Sequence, residues 1–181
     1  MPGDFLVIGL GQFGLGVARE LSQRGAEVIA VDKNEGPVNS ISSYVARALV
    51  MDATDEESMA ALEPSTMDAA ICGIGVESKD ANIMVTTLLK EYGAKRIVSR
   101  QIGQLHGRIL RRVGADEIVN PESEVARHVA QRVLIPSLDQ LYDLGDGIVM
   151  AELPIPKPFV GKTLEELDIF GRFRVTVVAV R

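Results

Sequence analysis

The amino-acid sequence predicts an α/β fold built on a doubly wound parallel sheet, and three observations support this. Short apolar runs recur through residue 134, with amphipathic stretches between them. The runs lack the alternation of a half-exposed strand, which is typical of parallel strands buried on both faces. A glycine-rich turn at residues 9–14 also separates the first run from the first amphipathic stretch. Strands alternating with helices at this spacing form parallel sheets with right-handed crossovers.

Six strand-and-helix units follow one another along the chain. The predicted strands cover residues 5–8, 28–31, 48–51, 68–72, 96–99 and 117–119. The predicted helices follow the glycine-rich turn as far as Gly25, and then cover residues 38–44, 54–62, 80–92, 105–113 and 123–134. For the third helix we predict Thr54 as the N-cap, with Glu57 completing a capping box.

The chain changes character after this series. A connecting region at residues 137–147, with a helical turn at 138–142, precedes a predicted strand at 148–153. A proline-rich turn, a short helix at 163–167 and a last strand at 175–180 complete the chain. We therefore predict a nucleotide-binding domain at residues 1–134, a linker at 135–147 and a partial α+β segment at 148–181.

The composition indicates which partners and which cellular location to expect. The 181 residues carry a formal net charge of −6 without a cluster of Lys and Arg, so no nucleic-acid partner is expected. The single cysteine, Cys72, lies in an apolar run and is expected to be a small buried side chain in a reducing cytoplasm. No apolar stretch approaches the roughly 18–20 residues of a membrane-spanning helix. The predicted location is the cytoplasm.

The glycine-rich turn is a candidate phosphate site of the Rossmann type. Gly9 permits a tight turn, Gly11 allows the backbone to approach a phosphate, and Gly14 allows close helix–strand packing. The N–H groups and the positive dipole end of the following helix attract an anion. Asp32 ends the second strand, where a carboxylate accepts hydrogen bonds from ribose hydroxyls and repels a 2′-phosphate. This pattern favours NAD, ADP or ATP over NADP.

Further candidates lie where neighbouring strands end. Asp52, with Ala53 and Thr54, ends the third strand and can meet the adenine edge, although Asp52 can equally cap the next helix. Arg100 ends the fifth strand and is either a phosphate contact or a solvated charge. The candidate nucleotide-binding residues are Gly9, Gly11, Gln12, Phe13, Gly14, Asp32, Lys33, Asp52, Ala53, Thr54, Gly73, Ile74, Gly75 and Arg100.

Groups for hydride-transfer chemistry are not apparent in the sequence. Such an enzyme needs a proton donor beside the nicotinamide, usually a His or a Tyr–Lys pair. His106 and His128 fall within predicted helices without a matching acid, and Gly93 separates Tyr92 from Lys95. We predict no catalytic residues, and therefore a nucleotide-binding sensor in preference to an enzyme.

Five segments together resemble one family. They are VIGLGQFG at residues 7–14, VD at 31–32, DAT at 52–54, GIG at 73–75 and GADEIVNPE at 114–122. They resemble the RCK N-terminal domain, also called TrkA-N or KTN, over residues 4–134. The tail at 160–167 and 175–180 resembles the first half of the TrkA-C domain of the same family.

The resemblance implies a cytosolic gating subunit of a Trk- or Ktr-type potassium channel or transporter. It implies homodimers that exchange the helix at residues 123–134, an octameric ring, and an integral membrane potassium-transport partner that holds the protein at the inner face of the membrane. Gln12 stands where this family usually has an arginine for a neighbour's phosphates. Glu122 matches an acid that holds a divalent cation at the dimer interface, although it can equally be a helix N-terminal charge.

The function predicted from these observations is the coupling of ADP/ATP or NAD(H) binding to potassium transport. Two alternatives stay open at this point. One is an NAD-dependent oxidoreductase whose substrate groups come from a second subunit, and the other is a sensor of the NADH/NAD ratio without a transporter.

Overall fold

A computed structural model describes residues 3–134, 140–146 and 148–180. Contacts divide the chain into two units, Met1–Glu124 and Val125–Arg181. The division falls inside the helix that the sequence predicts at residues 123–134. The domain limits 1–134, 135–147 and 148–181 therefore stay a prediction.

The first unit is built on one six-stranded parallel sheet, with strand order β3-β2-β1-β4-β5-β6. The strands are β1 Asp4–Ile8, β2 Glu27–Asp32, β3 Arg47–Val50, β4 Ala69–Cys72, β5 Ile97–Arg100 and β6 Glu117–Val119. At the centre of the sheet, Ile8 of β1 lies in register with Val31 of β2 and with Cys72 of β4. This is the doubly wound order, so the predicted Rossmann-type α/β fold is confirmed.

Helices connect the strands, and α2 begins and ends three residues earlier than the predicted 38–44. They are α1 Gln12–Gln23, α2 Glu35–Ile41, α3 Glu56–Ala61, α4 Lys79–Glu91, α5 Gln104–Val113 and α6 Pro121–Leu134. The predicted capping box of α3 is wrong, because the helix begins two residues later than Thr54. Asp55 is the N-cap, and its carboxylate accepts a hydrogen bond from the Ser58 N–H at 2.8 Å. Thr54 bonds to Asp52 instead.

The apolar side chains of the strands pack on both faces of the sheet. In β1, Leu6 and Ile8 belong to one buried cluster, and Val7 between them belongs to the other. Leu89 of α4 and Leu110 of α5 are fully buried in the cluster of Leu6 and Ile8. Burying each such side chain stabilises the fold by roughly 1.5–3 kcal/mol. Both faces are apolar, which explains why the sequence of β1 does not alternate.

The second unit contains short elements. The strands β7 Gln140–Gly145 and β8 Ile148–Glu152 are antiparallel, and the helices are α7 Leu164–Leu167 and α8 Ile169–Phe173. The predicted helical turn at 138–142 is wrong for residues 140–142, because pairing with β8 supplies their backbone hydrogen bonds; residues 138–139 lie outside the described part. Residues 175–180 are not in a strand, since no described segment pairs with them.

One face of α6 carries a valine stripe, defined here as Val125, Val129 and Val133. Their spacing of four residues places them on one face of the helix. They are 61, 51 and 72% exposed. No helix within the described residues is both long and apolar enough to cross a membrane.

Candidate functional site

A cleft of about 600 Å³ opens at the carboxyl edge of the parallel sheet, where β1 to β5 end. Ligands of open α/β sheets bind at this edge, near the point where the strand order reverses. The predicted residues that line the cleft are Gly9, Gly11, Asp32, Lys33, Asp52, Ala53, Thr54, Gly73, Ile74, Gly75 and Arg100. Gln12, Phe13 and Gly14, which we also predicted, do not line it.

The three glycines of the turn have different structural roles. Gly9 has φ +88°, and a Cβ there would lie 2.7 Å from the backbone N of Ile74. A Cβ on Gly14 would lie 2.0 Å from the carbonyl oxygen of Gly9, so this glycine lets α1 approach β1. Gly11 lines the cleft and has nothing within 4 Å of a Cβ. Only at Gly11 would a side chain take up ligand space without a clash inside the protein.

Gln12 and Phe13 begin α1 beside this turn. The exposed Gln12 is the first residue of the helix, and the half-buried Phe13 packs against the apolar cluster around Val7. The first N–H groups of a helix have no partner within the helix, and the first turn of α1 contains no acidic residue. Because the N-cap residue Gly11 lines the cleft, the positive end of the helix dipole lies beside the cleft, and no acidic side chain of the first turn neutralises it.

Asp32 organises the turn as well as lining the cleft. Its Oδ2 accepts a hydrogen bond from the Leu10 N–H at 2.7 Å. Its Oδ1 accepts from the backbone N–H and the side-chain amide of Asn34, at 2.8 and 3.1 Å. A carboxylate has about four acceptor sites, so one remains for a ribose hydroxyl. Asp32 thus has a local structural role that the sequence analysis did not identify.

Asp52 lies at the β3 end of the cleft. Its Oδ1 accepts hydrogen bonds from the N–H of Thr54 at 3.0 Å and from the Thr54 hydroxyl at 2.7 Å. These two bonds hold the pKa of Asp52 below its usual value, and the Lys33 ammonium lowers it further. Asp55 and not Asp52 caps α3. The charge of Asp52 is therefore held at the edge of the cleft.

Arg100 lies at the opposite end of the cleft, where β5 ends. Its side chain is 14% exposed, and its Nη2 donates to Glu122 of α6. Within the described residues, its buried Nε has no hydrogen-bond partner. A Cβ on Gly75 would lie 3.0 Å from its Nη1, so the guanidinium rests against the backbone that lines the cleft. Arg100 is not a solvated charge.

Glu122 is held by this ion pair and by its place at the start of α6. A hydrogen bond from its own backbone N–H and the Arg100 guanidinium hold its pKa below the usual value. Among the described residues there is no group of three or more His, Cys, Asp or Glu side chains that would hold a metal ion. The divalent-cation role of Glu122 at a dimer interface, which the resemblance implies, stays a prediction.

A buried asparagine that the sequence analysis missed ties two strand ends together at the cleft. Asn82 of α4 is fully buried, and its amide donates to the carbonyls of Ile74 at 2.8 Å and of Arg100 at 3.0 Å. The buried hydroxyls of Thr86 and Ser99 lie 2.9 Å apart beside it. A lone polar residue in a helix pattern gives no sign of such partners, because they depend on how α4 packs on the sheet.

Much of the apolar wall of the cleft was not predicted from the sequence. The additional lining residues are Ile8, Leu10, Asn34, Pro37, Val76, Ser78, Ala81, Met84 and Val85. Val76 and Met84 are 62 and 50% exposed, so they form an exposed apolar part of the cleft lining.

The other titratable candidates lie apart from the cleft lining. His106 is buried, and its Nδ1 accepts a hydrogen bond from the Ile102 N–H at 3.3 Å. Burial raises the pKa of the Cys72 thiol to about 12. Lys95 bonds to the Thr66 carbonyl and to Asp68, so it is not paired with Tyr92. The exposed His128 is on α6.

The sheet order, the glycine-rich turn and the cleft at the carboxyl edge define a Rossmann-type domain of the nucleotide-binding class. Residues 5–121 match the family model of the TrkA-N domain, and the chain belongs to this family.

Two relatives align along nearly the whole chain. The Ktr system potassium uptake protein A of Vibrio alginolyticus is 36% identical over 166 residues, covering 92% of this chain and 75% of that protein. The Ktr system potassium uptake protein C of Bacillus subtilis is 33% identical over 181 residues, covering 100% and 81%.

Among solved structures, the GsuK channel bound to NAD superposes with a TM-score of 0.67 at 20% identity, covering 98% of this chain and 32% of that one. GsuK bound to ADP gives 0.61 at 15% identity, covering 93% and 51%. At these identities the likeness shows the fold.

Proposed function

We propose that this protein is a cytosolic nucleotide-binding subunit that regulates a potassium channel or transporter in the membrane. The relatives at 33–36% identity are named as potassium uptake proteins, which supports the transport role. The observation that carries the nucleotide role is the cleft, which gathers the glycine turn, Asp32, Asp52 and Arg100 at one sheet edge. Ligand binding would bias transport only as far as its affinities for two states of the assembly differ.

The charges along the cleft suggest how a nucleotide lies in it. Asp32 and Asp52, at the β2 and β3 end, suit the ribose and the adenine edge. Gly11 and the start of α1 suit the first two phosphates. Whatever extends beyond them, a third phosphate or the second half of a dinucleotide, runs towards Gly75 and Arg100. We therefore propose ADP, ATP or NAD(H) as ligands, in line with the NAD and ADP of the GsuK structures.

Calorimetric titration of the full chain with ADP, ATP and NADH tests the nucleotide role. We expect at least one to bind, and NADPH to bind at least about tenfold more weakly than NADH, because the Asp32 carboxylate repels a 2′-phosphate. Failure of all three nucleotides to bind would overturn the proposal.

We propose that the working unit is a homodimer, assembled further into a ring. The valine stripe of α6 supports this, because three valines aligned on one face are a surface that a second copy can cover. An assembled ring would lie against the inner face of the membrane through its transport partner. Potassium uptake by cells that express the transporter with and without this protein tests the partnership, and equal uptake in both would contradict it.

The same cleft supports a binding role in preference to an oxidoreductase. Its polar side chains within the described residues are Asp32, Lys33, Asn34, Asp52, Thr54, Ser78 and Arg100, which suit the ribose and phosphates of a nucleotide. We expect no turnover when the protein is incubated with NADH and a panel of carbonyl substrates. Steady NADH oxidation by wild-type protein would favour the enzyme. Asp32→Ala is an unsuitable control, because this change also removes the bond to the Leu10 N–H.

A further inference from the structure

The Arg100–Glu122 ion pair is unequal in its exposure to water. The Arg100 side chain is 14% exposed, whereas that of Glu122 is 62% exposed. Because most of the Glu122 side chain is exposed, its carboxylate can turn into water at small cost, whereas the largely buried guanidinium cannot. A competing anion in the cleft would therefore displace Glu122 and leave Arg100 in place.

Arg100 also has donor capacity that Glu122 does not use. A guanidinium has five N–H donors in a planar fork, and the buried Nε has no partner within the described residues. Phosphate carries more negative charge than a carboxylate and has several acceptor oxygens for such a fork. A phosphate at this end of the cleft is thus a better partner for Arg100 than Glu122 is.

Glu122 belongs to the first turn of α6, so the exchange reaches beyond the cleft. The carboxylate also receives a hydrogen bond from its own backbone N–H, and a negative charge at this end of a helix is favourable. These two interactions therefore still stabilise the Glu122 carboxylate after it leaves Arg100. What the exchange removes is the side-chain link between the end of β5 and the first turn of α6, while the backbone bond from the Gln101 N–H to the Val119 carbonyl stays in place.

We propose that Glu122 is an internal competitor for the Arg100 guanidinium, displaced when a nucleotide phosphate reaches the β5 end of the cleft. This inference rests on the proposed nucleotide-binding role and assigns one step of its regulation. By linkage, the two events favour each other. A movement of α6 that draws Glu122 away from Arg100 raises the affinity of the cleft for phosphate, and phosphate binding favours that movement by the same factor. The exchange is noncovalent, and the protein itself supplies both charges.

A double-mutant cycle measured by ATP titration tests this exchange. The buffer contains EDTA, so that no divalent cation can bridge Glu122 and the nucleotide. We expect Glu122→Gln to bind ATP about 3- to 10-fold more tightly than wild type, the range for loss of one competing, partly buried ion pair. Arg100→Gln should bind about tenfold more weakly. Adding Glu122→Gln to Arg100→Gln should change the affinity by less than about twofold, because the two residues act through each other.

Matched controls keep the comparison specific. Glu124→Gln removes the same charge from the same helical turn, and no contact between Glu124 and Arg100 is described. Arg96→Gln breaks the exposed pair with Glu117 beside the other end of β5. Neither control should change ATP affinity by more than about twofold. If Arg100→Gln does not fold, the comparison of Glu122→Gln with Glu124→Gln decides alone.

The outcomes separate this inference from the proposed function. If wild-type protein binds no adenine nucleotide, the nucleotide-binding role fails first. If wild type binds ATP but Glu122→Gln binds no more tightly in EDTA, the competition is wrong and the nucleotide role stands. Glu122→Gln that weakens ATP binding only with added Mg²⁺ would make Glu122 a cation ligand and overturn the competition. Tightening in EDTA that disappears without Arg100 is the result we expect.

Discussion

At the scale of single residues, the glycine-rich turn contains glycines of two kinds. A side chain on Gly14 would overlap the Gly9 carbonyl, whereas a side chain on Gly11 would point into the open cleft. The one-letter sequence shows the same residue at both positions. Substitution should therefore separate folding from ligand binding within a single motif.

Gly11→Ala should reduce nucleotide affinity at least about tenfold while lowering the free energy of unfolding by less than about 1 kcal/mol. Gly14→Ala should lower the free energy of unfolding by about 3 kcal/mol or more, because the added methyl overlaps the Gly9 carbonyl. Gly16→Ala is the matched control, since Gly16 is exposed on α1 with open space at its Cβ. Titration calorimetry and urea denaturation measure both effects. Equal affinities for Gly11→Ala and Gly16→Ala would contradict this assignment.

Asn82 is the buried residue on which the geometry of the β4 and β5 ends depends. Asn82→Ala leaves the carbonyls of Ile74 and Arg100 without their donor, and we expect a loss of roughly 2–4 kcal/mol in the free energy of unfolding. Nucleotide affinity should fall with it, because both strand ends line the cleft. Asn39→Ala, on the exposed side of α2, should do neither. A variant as stable as Asn39→Ala under urea would show that the two bonds contribute little.

At the scale of elements, the start of α3 and the face of α6 show what local pattern can and cannot predict. A capping box at Thr54 satisfies the sequence rule, yet the helix begins at Glu56 because the short Asp55 carboxylate reaches the Ser58 N–H. Thr54 is drawn to Asp52 at the cleft. The sequence of Asp52, Thr54 and Asp55 does not show which of these residues is the N-cap of α3. The path of the chain after β3 decides it.

The valine stripe of α6 should be a contact between copies. Val129→Asp places a charge at its centre, and we expect the dimer to dissociate to monomer, measured by analytical ultracentrifugation. Because Val129 is 51% exposed, the melting temperature of the separated chain should change little. Gln131→Asp, on the opposite side of the helix by spacing, is the matched control. Dimers that persist in Val129→Asp would assign the stripe to another partner.

At the scale of the whole molecule, stability should fall on acidification in two stages. Burial lowers the pKa of His106 below its ordinary 6.5, so the unfolded chain takes up a proton first. Stability is therefore lost as pH falls from 6.5 towards the lowered pKa, by at most about 1.4 kcal/mol per pH unit. The pKa values of Asp52, Asp68 and Glu122 are also lowered. Their contribution is present above their unfolded values of 3.8 to 4.5 and is lost below them.

His106→Gln should remove the first stage and leave the second in place. Urea denaturation at a series of pH values measures this, and the slope against pH is compared, not the absolute stability. His128→Gln, on the exposed surface of α6, should keep both stages. An unchanged slope between pH 6.5 and 5 in His106→Gln would exclude the buried histidine as its source.

The sequence by itself determined the parallel sheet, the order of its units and about half of the residues that line the cleft. Apolar runs such as that of β1 indicate a strand buried on both faces, and a glycine-rich turn between a strand and a helix has one common geometry. These are local properties of the backbone, so neighbouring residues encode them. Asp32, Asp52 and Arg100 meet at the sheet edge because parallel strands end together, and their contacts with a nucleotide stay a prediction.

The tertiary structure decided which side chains meet across that edge. The pairing of Arg100 with Glu122, the Asn82 bridge between two strand ends and the bond from the Leu10 N–H to Asp32 each join residues far apart in the chain. Strand register and helix packing set these contacts to within an ångström, and no local pattern contains that information. The glycine turn could therefore be identified from its letters, whereas its roles at Gly11 and Gly14 required the surrounding atoms.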